Sequence, residues 1–240
     1  MQIPKDNLYL TIYQHLDELR TVLIRVALAF LVIFVIIFLT SRLWLHKLIK
    51  LLLWNTHVHL NTFSLNEIIV TYLLILISLS FIVIFPYATL LFWRFISPGL
   101  KPSERNTIMI KSAQSISLFL GGILLNYFIL YPQIFNWGLS IASLLGTKPI
   151  WGIQAYLLNL LYLSLLTGLL FQIPLITHFL VKIDVLSRND LSSQRKYVYF
   201  VCLILSSLFA PPDLVMHLSF FIIMITLYEM TIFYIKIKES

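Results

Sequence analysis

Two glutamates stand where a chain of this kind can bind a charged partner. Glu18 lies in His15-Leu16-Asp17-Glu18-Leu19-Arg20, directly before an apolar run from Thr21 to Thr40. Glu104 lies in Phe95-Ile96-Ser97-Pro98-Gly99-Leu100-Lys101-Pro102-Ser103-Glu104-Arg105, where Pro98 and Gly99 break the chain into a loop. Carboxylates accept charge-assisted hydrogen bonds from cationic groups, so two acids on separate segments can receive a basic peptide. Plainer roles are open to both. An acid in a first helical turn gains about 0.3–1 kcal/mol from the helix dipole, and Glu104 can pair with Arg105 beside it. Glu67 reads as another first-turn acid, and Asp213, after Pro211 and Pro212, as a helix cap.

Three further polar residues fall within or near apolar runs. Gln172, just before Pro174, must face protein or water, because a polar group in lipid is costly. Glu229 lies about two turns from the end of the last run, and His217 near its start. His178 and His217 are not at metal-ligand spacing with any carboxylate or with Cys202, the single cysteine, and the other histidines are scattered, so no metal, cofactor or disulfide is expected. Sequence motifs of nucleophilic hydrolases, zinc proteases and nucleotide-binding loops are missing, which leaves a catalytic reading without residues.

The elements that must position these groups are helices in lipid. Only 11% of the 240 residues are charged and 60% are hydrophobic, against roughly 25% charged in a soluble domain. The mean hydropathy is +0.92. Six apolar stretches emerge: Thr21–Thr40, 68–92 with Pro86 inside, 108–130, 155–181 with Pro174, a short one at 197–210, and 214–235. Pro211 and Pro212 force a tight reversal between the last two. The segment Ser41–Leu65 reads as a loop whose Trp44 and leucines suit a helix lying in the interface. The first apolar run is long enough to span and follows a polar lead-in, so it reads as a span and not as a cleavable signal.

Six spans put both termini on one side. Four of the seventeen Lys and Arg residues (Arg42, Lys47, Lys50 and Lys148) fall opposite the termini, leaving thirteen on the terminal side, which is therefore the cytoplasmic or matrix side. The net charge of +7 is a topology signal; no basic block suggests nucleic acid. The expectation is one all-α integral membrane domain over residues 1–240. A small-solute or ion transporter is the alternative, but it calls for ionisable residues at mid-membrane, and none is left there. The bias toward Ile, Leu, Phe, Tyr, Asn and Lys is what an AT-rich, organelle-type genome produces.

Taken in order, the motifs resemble those of the TatC family, the core subunits of twin-arginine protein translocases. His15-Leu-Asp-Glu-Leu-Arg20 is similar to its HLxELR signature, and Ser64-Leu-Asn-Glu67 to its PxExFxxY start of helix two. Pro86 through Trp93 and on to Glu104-Arg105 resembles its P…WxFxxPGLxxxER block. Asn126-Tyr127-Phe128 to Pro132, Phe171-Gln-Ile-Pro174, Ala210-Pro-Pro-Asp213 and Tyr228-Glu229 resemble later family positions.

The resemblance implies six spans with both termini inside and short fifth and sixth helices. It implies a receptor, not an enzyme: it binds twin-arginine signal peptides of folded cargo, gathers single-span TatA/TatB-type partners, forms homo-oligomers in the bilayer, and uses the membrane potential. Glu18 and Glu104, with Arg20 and Arg105 of the same motifs, would form the peptide site. Gln172, His217 and Glu229 would face the partner span. Pro86, Pro98, Pro174, Pro211, Pro212 and Asp213 would shape the helices. Some positions depart from the family pattern: Gln172 replaces its acid, Leu91 and His217 each replace a Gln, and the Pro that often follows helix one is missing near Leu51–Trp54. A divergent member of the mitochondrial inner membrane is the expectation, with plastid thylakoid or bacterial plasma membrane as alternatives.

Overall fold

The computed structural model of the chain describes residues 5–53, 60–96, 108–147, 149–183, 185, 188–209 and 214–238. Pro98, Glu104, Arg105, Pro211, Pro212 and Asp213 lie outside these residues.

Helix α1 runs from Lys5 to Leu52, 48 residues in one piece. At 1.5 Å per residue that is about 72 Å, more than twice a hydrocarbon core of roughly 30 Å. The expected loop from Ser41 with its separate interfacial helix is therefore corrected, since α1 simply continues to Leu52. The reason is in the sequence. No Gly or Pro occurs between Lys5 and Leu52, and the charges Arg42, Lys47 and Lys50 do not break a helix.

Strand β1 (Leu60–Asn61) precedes α2 (Leu65–Ile96). Pro86 sits inside α2 without ending it, and the Thr89 hydroxyl turns back to the carbonyls of Phe85 (3.0 Å) and Pro86 (2.9 Å). Helix α3 (Ile108–Leu125) passes through a π-helical turn at Asn126–Leu130 into α4 (Tyr131–Leu144). This span is longer than the sequence suggested. Pro132 falls in the first turn of α4, where its missing N–H is tolerated, so the helix widens and goes on instead of stopping. Strand β2 (Trp151–Gly152) pairs in parallel with β1, Leu60 opposite Trp151. Next come α5 (Ile153–Leu170), a turn at Phe171 and Gln172, and α6 (Ile173–Lys182), with Pro174 in its first turn.

Then follow α7 (Arg188–Ser193), α8 (Arg195–Phe209) and α9 (Leu214–Lys238). Among the described residues five helical stretches are long and apolar enough to cross a membrane. The sixth apolar helix, α8, has 15 residues, about 22 Å. It is short, as expected. At 25 residues α9 is not, which corrects the expected short sixth helix and agrees with its long apolar stretch.

The chain divides into two compact units, one of Met1–Ile49 with Leu76–Ile116, the other of Lys50–Ile75 with Ser117–Ser240. In the second unit, α3 and α5 touch closely at Gly122. A Cβ there would lie 2.7 Å from the Thr167 carbonyl oxygen, so only glycine permits the approach. One turn on, fully buried Asn126 donates from Nδ2 to Ser164 Oγ at 2.9 Å, fastening the π-turn to α5. Helix α9 packs against α6, α7 and α8. The Tyr228 hydroxyl donates to the Leu191 carbonyl at 2.8 Å, beside a cluster of Leu191, Tyr228, Ile232 and Ile235.

Candidate functional site

The candidate site lies within the first unit, where α1 and the end of α2 form a groove of about 400 Å³. Helix α1 supplies Gln14, Asp17, Glu18, Thr21, Val22 and Arg25, and α2 supplies Leu91, Arg94 and Phe95. Both sets follow the i, i+3, i+4 spacing of a single helical face. The His15 ring stacks on Phe95 at 4.4 Å and 14°, and its Nδ1 lies 3.6 Å from Glu18 Oε2. This contact fixes the last turn of α2 beside the turn of α1 that carries the acids.

Glu18 is about half exposed, at 50%. Because α1 begins at Lys5, Glu18 lies more than three turns inside the helix. The dipole effect fades within the first turn, so the simpler explanation for this acid is removed. Thr21 Oγ1 donates to its own helix at the Asp17 carbonyl, 2.9 Å away. The charged part of the lining is therefore Asp17 and Glu18 together with Arg25 and Arg94, and Val22 and Leu91 add apolar surface. Arg20 is exposed on α1 but is not among the lining residues. Sequence reasoning missed Gln14, Asp17, Arg25 and Arg94 as part of the site, although the helical period counted from Gln14 through Glu18 marks the first three.

The residues assigned to partner contact are held in the second unit. Gln172 Nε2 donates to the Gly168 carbonyl at 3.3 Å across the α5–α6 turn. His217 Nε2 lies 3.4 Å from Ser206 Oγ, linking α9 to α8. Glu229 Oε1 accepts from the Tyr199 hydroxyl at 2.5 Å and from Arg195 Nε at 3.0 Å. His217 and Glu229 are twelve residues apart on α9, about 18 Å, so they do not form one patch.

Glu67 has a larger part than the first-turn acid its position suggested. It is 7% exposed. Ser64 Oγ caps its N–H at 3.2 Å, and its carboxylate accepts the Phe63 N–H at 2.6 Å and the Gln154 N–H at 3.2 Å. Together with the β1–β2 pair, this clasps the start of α2 to the start of α5. A Cβ at Gly152 would lie 2.9 Å from Glu67 Oε1, so glycine makes room for the carboxylate.

Fold and site together define a polytopic all-α membrane protein with a charged groove beside its first helix. The chain belongs to the TatC family: residues 14–222 match the family described as "Sec-independent protein translocase protein (TatC)". The Sec-independent protein translocase protein TatCy of Bacillus subtilis (strain 168) is 32% identical over 227 residues, 93% of this chain and 87% of its own length. TatC of Listeria innocua serovar 6a is 31% identical over 222 residues, 91% and 88% of the two chains. A crystal structure of the twin-arginine translocase receptor TatC in DDM superposes with a TM-score of 0.80 at 30% identity, covering 92% of this chain and 98% of that one.

Proposed function

We propose that this protein is the core receptor subunit of a twin-arginine translocase. It binds the paired arginines of signal peptides of folded cargo and performs no covalent chemistry. One observation carries this reading: Asp17 and Glu18 are set within the wall of a groove more than three turns inside a membrane helix, in a chain similar to a solved twin-arginine translocase receptor. A guanidinium bound there makes charge-assisted bonds to the carboxylates, and the apolar part of the peptide follows Val22 and Leu91 along the helices. Glu104 and Arg105 complete the site from their loop, and Arg20 serves it from outside the groove.

Gln172, His217 and Glu229 belong to surfaces that meet single-span TatA/TatB-type partners, and the receptor assembles as a homo-oligomer. Gln172 supports docking through hydrogen bonds alone, since it never ionises. Both termini lie on the cytoplasmic or matrix side, and the base-composition bias favours a mitochondrial inner membrane.

The test is photo-crosslinking from positions 14 and 91 in membranes, with a twin-arginine peptide and its two-lysine variant. Crosslinks that vanish with the lysine variant are the expected result. Equal crosslinking by both peptides, or none in a protein shown to be folded, would overturn the receptor assignment.

A further inference from the structure

The groove holds its own arginines. Among its described lining residues, Asp17 and Glu18 are matched by Arg25 and Arg94, so their formal charges cancel. The His15–Phe95 stack fixes where Arg94 enters, one residue from the ring that lies against the Glu18 turn. Arg25 lies seven residues beyond Glu18 on the same helix face, about 10.5 Å along the axis. Both arginines are exposed and carry long flexible arms.

We propose that Arg94, aided by Arg25, is a specificity-determining residue that competes with the incoming peptide for Asp17 and Glu18. The proposal rests on the receptor reading above. A lining without net charge draws a dication only weakly from a distance, so binding is decided by contact. An incoming guanidinium competes with these internal guanidinium groups on equal terms, fork against fork. An incoming ammonium offers only a point charge and competes less well against a fork. The internal arginines thus raise the threshold for every cationic peptide, and raise it most for lysine. Their role is to make the groove demand an arginine pair.

The experiment uses the full chain in lipid nanodiscs, titrated with a fluorescent twin-arginine peptide and its two-lysine variant. Wild type, Arg94→Gln, Arg25→Gln, the double variant and Arg94→Lys are compared, with thermal stability as a control. Arg94→Gln should tighten the lysine peptide by roughly three- to tenfold. The arginine peptide should tighten less, so that the preference for arginine falls. Arg94→Lys should restore part of that preference, and the double variant should lose the most. Unchanged or weakened affinity for both peptides, or an unchanged preference, would overturn the proposal while a wild type that prefers arginine keeps the receptor reading intact. A folded wild type that binds neither peptide, or both equally, would remove the receptor reading and this inference with it.

Discussion

Glu18 and Glu67 are the same residue under opposite conditions. Glu67 is the third residue of α2 and nearly sealed from solvent, with two backbone N–H groups on its carboxylate. Glu18 is deep within the sequence of α1 yet half exposed, with an imidazole 3.6 Å away as its neighbour. A carboxylate whose acceptor sites are filled by the protein's own backbone has little left for a ligand. One facing an open groove keeps that capacity. The difference separates an acid that builds the fold from an acid that can bind a partner.

The largest expected effect falls on the clasp. Glu67→Ala leaves the Phe63 and Gln154 N–H groups without their acceptor and opens space beside Gly152. The expected loss is about 2–6 kcal/mol of stability, from two unsatisfied donors at roughly 1–3 kcal/mol each. Thermal unfolding in detergent reads this directly. A wild-type melting temperature for the variant would show that the clasp does not hold the fold. Glu18→Ala should do the reverse. Its stability should stay within about 0.5 kcal/mol of wild type, as for an exposed site. Its affinity for a twin-arginine peptide should fall roughly tenfold to a hundredfold, the worth of one charge-assisted bond. If the peptide still binds at wild-type affinity, the groove is not where its arginines go.

That contrast was only half legible in the sequence. Six apolar stretches follow from composition, because lipid-facing helices must be apolar almost throughout. The extent of α1 was misread because Arg42, Lys47 and Lys50 suggest an aqueous loop, whereas the missing Gly and Pro were the better guide to helix continuity. Asp17 and Arg25 were readable as groove residues from the period of 3.6. Arg94 was not, since it reaches the groove only because α2 returns to α1 and Phe95 stacks on His15. The clasp was hidden for a different reason. Gln154 gives Glu67 a backbone N–H from 87 residues away, and a backbone donor leaves no mark in a sequence.

A third acid sharpens the comparison from between the two extremes. Glu229 holds both Arg195 and Tyr199, yet remains 36% exposed. Glu229→Gln keeps an acceptor for the tyrosine and gives up only a partly solvated ion pair. The expected cost is about 0.5–1 kcal/mol, much less than at Glu67. Denaturation of the variant beside Arg195→Gln and the double variant measures the coupling. A coupling of several kcal/mol would mean that this pair is as dry as the clasp, and that exposure does not rank these three acids.

The smallest expected effect tests whether the groove reads anything besides charge. Thr21 sits between Glu18 and Arg25 on the same face, but its hydroxyl proton is committed to the Asp17 carbonyl at 2.9 Å. Thr21→Val removes that bond and keeps the β-branched shape, so helix propensity hardly changes. At this half-buried position, with the side-chain shape kept, the stability change should stay within about 0.5 kcal/mol. If Asp17 and Glu18 do the binding, affinity for the twin-arginine peptide should stay within roughly twofold of wild type. A loss as large as that of Glu18→Ala would mean that a lone pair of the Thr21 hydroxyl receives one of the arginines. The site would then be a mixed cradle of acids and hydroxyl, and the contrast with Glu67 would rest on the whole face of α1 and not on one carboxylate.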